Sequence, residues 1–214
     1  MQYLSTEKYV LPGPDQVRFI SGGQTLSLVM GSCISTVFVA RKDGYILAAN
    51  HIMIARERDT AVIAKKSARR QIDEILDAFR DDFHVDTDGF RCIHLVGAGK
   101  KGADASFHIH SENINETTAI LEEKGIPVLF NDTLSHYFAT YSMDGGRMSV
   151  FIEDKLAAVH LSYIIDLERL FALDLAGKLS LPASALKAKD PGFEELVGRG
   201  VIVFITGEKN RASL

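Results

Sequence analysis

Three scarcities narrow the chain before any motif is read. Cysteine occurs twice, at Cys33 and Cys92, too far apart in sequence to suggest a disulfide framework. No apolar segment approaches the ~20 residues of a membrane-spanning helix, which argues against membrane insertion. The opening MQYLSTEKYVLPGP lacks the basic start and apolar run of a signal peptide. The charges nearly balance, and a formal net charge of −4 gives no general case for nucleic-acid or membrane-surface binding. Together these absences point to a cytoplasmic protein, where an unusually placed cysteine is chemical more often than structural.

What is present suffices for a core. With 214 residues, 46% of them hydrophobic and 24% charged, the chain can fold without metal or disulfide. It contains no internal repeat, and its length suits one domain, or one domain with a large extension. Pro12 and Pro14 around Gly13 punctuate an extended lead-in. Short strands are expected at 17–20 and 26–30, separated by a Gly22–Gly23 turn. Ile34–Ala40 and Tyr45–Met53 are apolar on both faces, as in strands covered on both sides. Residues 60–80 form an amphipathic helix pattern through Ile63, Ile72, Ile75, Leu76 and Phe79. A strand at 91–96, a helix at 112–124 closed by Gly125, and a strand at 126–130 follow. Next come a hairpin of 136–143 with 147–152 and a strongly apolar helical pattern from Glu153 to Leu175. A strand at 201–205 lies near the end. The apolar face of the 153–175 segment must be covered, by the rest of the chain or by a partner.

The chemistry concentrates between Ser27 and Ile54. Cys33 follows a Gly31-Ser32 step that permits a tight path and leaves amides to face an oxyanion. His51 lies at the far end of the hairpin that follows, and a thiol needs such a base to become a nucleophile. Turn length decides whether the two can meet. If Lys42, Asp43 and Gly44 form a three-residue loop with Gly44 left-handed, Arg41 pairs with Tyr45 and Cys33 falls opposite Met53. His51 then lies one diagonal step away on the same face. A two-residue Asp-Gly loop puts it on the opposite face. Taken singly, both residues have bland readings, a small buried hydrophobe and an ordinary histidine.

Val29-Met-Gly-Ser-Cys-Ile-Ser-Thr-Val, the hairpin, and Ala49-Asn-His-Ile-Met-Ile resemble the CheD family, bacterial chemoreceptor glutamine deamidases. The resemblance spans about 15–152 and includes weaker matches at Gly97-Ala-Gly-Lys-Lys-Gly, Ile109-His-Ser-Glu-Asn-Ile and Gly125-Ile-Pro-Val. It implies a catalytic triad of Cys33, His51 and Ser27, the last standing six residues before the cysteine where the family usually has threonine. Gly31, Ser32 and Asn50 become oxyanion or positioning candidates. The implied fold is mixed α/β (α+β), two layers of mostly antiparallel strands flanked by helices. Residues 1–152 then form the catalytic domain, and 153–214 a helical extension ending in a strand and packed on it. The implied substrates are glutamines on the cytoplasmic helices of methyl-accepting chemotaxis receptors, with a CheC-type phosphatase as a further partner and no cofactor. The chain departs from the family after Thr133, where Leu-Ser-His-Tyr-Phe-Ala replaces a glycine- and arginine-bearing loop, and in its length beyond 153.

Other readings compete. A binding module for the phosphatase or receptor would use the fold without turnover, and a cysteine hydrolase could act on another amide or ester. Gly97-x-Gly-x-x-Gly102 matches a dinucleotide fingerprint literally, but the next clear helix starts about ten residues late and no surrounding βαβ unit frames it. His108-x-His110, with His94 or His136, has metal-compatible spacing without a carboxylate or cysteine pattern, so structural histidines and no metal are expected. Cys92 has the setting of a small buried hydrophobe.

Overall fold

A computed structural model of the chain describes residues 4–56, 67–98, 109–133, 138–154, 159–175 and 191–206. The first strands are β1 (Tyr9–Val10), β2 (Val17–Ile20), β3 (Thr25–Val29), β4 (Ile34–Arg41) and β5 (Tyr45–Asn50). Then come α1 (Ala68–Asp77), β6 (Phe90–Gly97), α2 (Ile109–Glu123), β7 (Val128–Thr133), β8 (Phe138–Asp144) and β9 (Arg147–Asp154). The chain continues through β10 (Val159–Asp166), α3 (Leu167–Leu175), α4 (Pro191–Gly198) and β11 (Ile202–Thr206). One sheet runs β2-β5-β4-β6-β7 and the other β1-β3-β8-β9-β10-β11. Only β1–β3 and β6–β7 pair in parallel among the described strands. This is the mixed α+β, two-layer architecture expected from the sequence.

Two cores explain the layering. Leu26, Leu28 and Met30 meet Val37, Val39, Leu47 and Ala49 between the sheets. On the other side of the five-stranded sheet, Phe38, Ala48 and Ile52 pack with Ile72, Ile75 and Phe79 of the α1 region and with Ile120 and Leu121 of α2. Strands β4 and β5 are therefore covered on both faces, as their continuous apolar sequence demands. The helix expected over 60–80 starts later, at Ala68, where the Ser67 hydroxyl accepts from the Arg70 amide, and winds on past α1 in a wider π turn to Asp82. Residues 57–66, including Ile63, lie outside the described residues. No helix among the described residues is long and apolar enough to cross a membrane.

The expected helix over 153–175 is corrected. Residues 159–166 form β10, and among the described residues of this stretch Leu167–Leu175 is the helical part. Leu161, Tyr163 and Ile165 alternate into the inter-sheet core, while Ser162 and Ile164 between them are half-buried. A period of two thus prevails over the helical spacing of the same residues. Strand β10 pairs along its full length with β9 and also holds β11, so this segment completes the six-stranded sheet.

A polar contact crosses the apolar layer. The β4–β6 ladder slips by one residue, so that Val37 opposes His94 while Phe38 opposes Cys92. This bulge turns both Ile93 and His94 toward the other sheet. His94 Nε2 donates to Asp132 Oδ2 at 2.6 Å, and in the neutral ring the Tyr141 hydroxyl donates to Nδ1 at 2.8 Å. Burial, then the charge of Asp132, pushes the Tyr141 phenol well above its ordinary value of 10.0.

Tyr141→Phe leaves His94 Nδ1 without this donor and should cost about 1–3 kcal/mol in urea unfolding at neutral pH. A raised folded-state value makes the tyrosine's contribution complete below the unfolded value of 10.0 and progressively lost as pH rises toward the folded one. The urea midpoint should fall above that pH in the wild type and fall less in Tyr141→Phe. An unchanged neutral-pH midpoint in the variant would mean that the inter-sheet bond contributes nothing.

Candidate functional site

The β4–β5 turn sets the site. Arg41 pairs with Tyr45, leaving Lys42, Asp43 and Gly44 as a three-residue loop in which the Lys42 amide donates to the Gly44 carbonyl at 2.9 Å. Both Asp43 (φ 46°) and Gly44 (φ 125°) have positive φ, so the left-handed position falls on Asp43 rather than Gly44 alone. The register persists through Val37–Ala49 to Ile34–Ile52, which exchange amide bonds of 2.9 and 2.8 Å. Continued by one residue, this register puts Cys33 opposite Met53. Val37, Leu47 and Ala49 face the other sheet, whereas Ile34, Phe38, Ala48 and Ile52 face the helices. His51 shares the parity of the first set, and half-buried Cys33 packs against the same inter-sheet core. The odd loop required for a shared face is the loop observed.

Main-chain atoms fix the imidazole. His51 is buried, with Nδ1 3.1 Å from the Pro12 carbonyl. A carbonyl only accepts, so Nδ1 carries the proton and the Nε2 lone pair remains for base chemistry. The surrounding backbone is pinned on both sides, with the His51 amide donating to the Gln16 carbonyl and the Asp15 amide to the His51 carbonyl. Ser27 is not brought to this pair. Leu26 and Leu28 point into the core, so Ser27 lies on the outer face of β3, its hydroxyl 3.2 Å from that of Thr140. The imidazole of His51 is oriented by the Pro12 carbonyl and not by Ser27, the third member of the implied triad.

Asn50 is likewise corrected. It shares the parity of Ala48 and Ile52, toward the helices, and its Oδ1 accepts from the Thr36 amide at 2.7 Å. It braces β4 from behind and does not face an oxyanion next to Cys33. Gly31 and Ser32 stay beside the cysteine, half-buried and exposed respectively. The end of β6 supports this turn, with the Ala98 amide donating to the Cys33 carbonyl at 2.6 Å. A Cβ on Gly97 (φ 105°) would fall 2.5 Å from that carbonyl oxygen and 2.8 Å from Met30 Cε. The glycine-rich segment thus begins with a close approach to the cysteine; residues 99–102 lie outside the described residues.

Asn113, in the first turns of α2, also serves the site. Its amide contacts the Ser32 and Met53 carbonyls and the Ala55 amide. The motif Ile109-His-Ser-Glu-Asn-Ile contained it, but nothing local to that motif reveals contacts so distant in sequence. The Pro12 carbonyl carries no side-chain signal at all.

The remaining candidates separate cleanly. Both ring nitrogens of His94 are engaged by Asp132 and Tyr141, while His108 and His136 lie outside the described residues. Among the described residues no three His, Cys, Asp or Glu side chains are grouped to hold a metal ion. Cys92 is buried, and desolvation pushes its thiol far up.

Gly97→Ala should destabilise the protein by ~2 kcal/mol or more, because both its φ and its neighbours exclude a Cβ. Gly22→Ala, where a Cβ meets nothing within 4 Å, should stay within ~1 kcal/mol of wild type. Equal urea midpoints for the two variants would contradict the close approach to Cys33. No protein-family model and no curated protein matches the chain, so its function is argued from this geometry and the sequence motifs.

Proposed function

We propose that the protein is a protein-glutamine deamidase of the CheD type, acting in the cytoplasm on the helices of chemotaxis receptors. The observation that carries the reading is the hairpin register, which gives Cys33 and His51 one face while Pro12 fixes the proton on His51 Nδ1. The Gly-Ser-Cys and Asn-His motifs supply the resemblance to that family.

The chemistry follows from this pair. His51 Nε2 takes the Cys33 proton, and the thiolate attacks the carboxamide carbon of a glutamine side chain. Amides of the Gly31–Ser32–Cys33 turn hold the oxyanion of the tetrahedral intermediate. The imidazolium returns the proton to nitrogen, the C–N bond breaks, and ammonia leaves a thioester. Water, deprotonated by His51, then cleaves the C–S bond to give glutamate and restore the thiol. The sum is amide plus water to acid plus ammonia, and it requires no cofactor. Converting glutamine to glutamate adds a negative charge to the substrate helix and alters its side-chain pairing.

The outward-facing Ser27 favours one second reading, a binding module for a receptor or a CheC-type phosphatase. Mass spectrometry of receptor cytoplasmic fragments separates the two. Deamidation should convert specific glutamines to glutamate, falling more than about a thousandfold in Cys33→Ala and about a hundredfold or more in His51→Ala. Fragments that bind but show no cysteine-dependent conversion would replace the enzyme with the binding module.

A further inference from the structure

The backbone ladder between β4 and β5 ends at Ile34–Ile52, one residue short of the cysteine. Beyond that rung, the side chain of Asn113 joins the two segments. Asn113 is fully buried, and its Nδ2 donates to the Ser32 carbonyl at 2.9 Å and to the Met53 carbonyl at 3.0 Å. Its Oδ1 accepts from the Ala55 amide at 2.7 Å. These partners force the amide orientation, since carbonyls require the NH₂ group and an amide N–H requires the oxygen. Ser32 immediately precedes Cys33, and Met53 stands two residues after His51. Asn113 thus replaces the missing rung with a fork from α2.

Resting on the deamidase reading, we infer that Asn113 is a positioning residue that fixes the spacing of Cys33 and His51 by clamping the backbones carrying them. It acts through main-chain carbonyls and touches neither reacting group. Two carbonyl oxygens have no attraction for each other, so their separation here is set by the one nitrogen that both accept from. An aspartate keeps the size and the acceptor for Ala55 but presents lone pairs to both carbonyls. A serine retains one hydroxyl donor and is the milder change.

The test reads the thiol directly. Iodoacetamide alkylation of Cys33 is followed against pH in the full chain, in wild type and in the Asn113→Asp and Asn113→Ser variants. Cys92, buried in the folded protein, reports folding in the same sample because it labels only when the structure opens. Ile120→Val, in the same helix and core, controls for simple loosening of α2. The wild-type midpoint should lie below the ~8.5 of an ordinary thiol. With Cys92 still protected, an Asn113 variant should raise the midpoint by about one unit as the imidazolium partner moves away, whereas Ile120→Val should leave it in place. A depressed wild-type midpoint that neither variant shifts overturns the clamp and spares the deamidase reading. Equal shifts in Ile120→Val and the Asn113 variants, or loss of Cys92 protection in both of the latter, make Asn113 a framework residue and likewise overturn the clamp. An ordinary wild-type midpoint overturns both.

Discussion

The paired amide bonds between Ile34 and Ile52 are the constraint on which the site depends. Each contributes only about 1 kcal/mol on its own, but together they extend the register of the three-residue turn to the mouth of the hairpin. Slippage by one residue would exchange Val37 and Val39 with Phe38 and Ala40, moving each set into a layer shaped for the other. Phe38 lies edge-on to Phe90 with ring centres 6.3 Å apart, while Val37 and Val39 face Leu26, Leu28 and Met30. The two cores therefore hold the register that the turn begins. Cys33 and His51 inherit their shared face from that packing.

Apart from this pair, backbone atoms do most of the positioning. The Pro12 carbonyl selects the imidazole tautomer, and the Ala98 amide holds the Cys33 carbonyl. Segments remote in sequence thus converge without a charged group directed at His51 or the cysteine turn in any of these contacts. Peptide groups already fixed by a sheet need little reorganisation as charge develops, which is what the proposed deamidation asks of them. The same economy explains the weight on Asn113: where the ladder stops, one buried amide supplies the donors that two strands would otherwise exchange.

What could be read from the sequence follows from which signals are local. The strands expected at 34–40 and 45–53 were legible because both faces are apolar, the second ending at Asn50, and the turn limited Cys33 and His51 to two discrete arrangements. The alternation that unites those residues also turns Asn50 away, since adjacent strand residues cannot share a face. Ser27 entered through the family resemblance, but the faces of Leu26 and Leu28 determine its direction. In 159–166, Val159, Tyr163 and Ile164 fit helical spacing while Leu161, Tyr163 and Ile165 fit alternation. The β-branched and aromatic content favours the strand, and the long pairing with β9 secures it. Pro12 and Asn113 act across tens of residues through main-chain partners, where no local pattern reaches.

Strand β6 joins the inter-sheet layer to the Cys33 turn through one inserted residue. Counting back from Phe38–Cys92 without the bulge, Val96 would stand opposite Ile34 and Gly97 would fall one position farther along. With the bulge at Ile93 and His94, Gly97 itself reaches Ile34. That is the position where a Cβ would lie 2.5 Å from the Cys33 carbonyl oxygen, a distance no valine could accommodate. The same insertion directs His94 to Asp132 on the neighbouring strand and to Tyr141 across the layer. One local irregularity therefore supplies a polar tie between the sheets and the glycine that lets the cysteine turn close onto β6. Removing it would cost the sheet a staple and bring a β-branched side chain against the Cys33 backbone, so the bulge belongs to the architecture of the candidate site as much as to the fold.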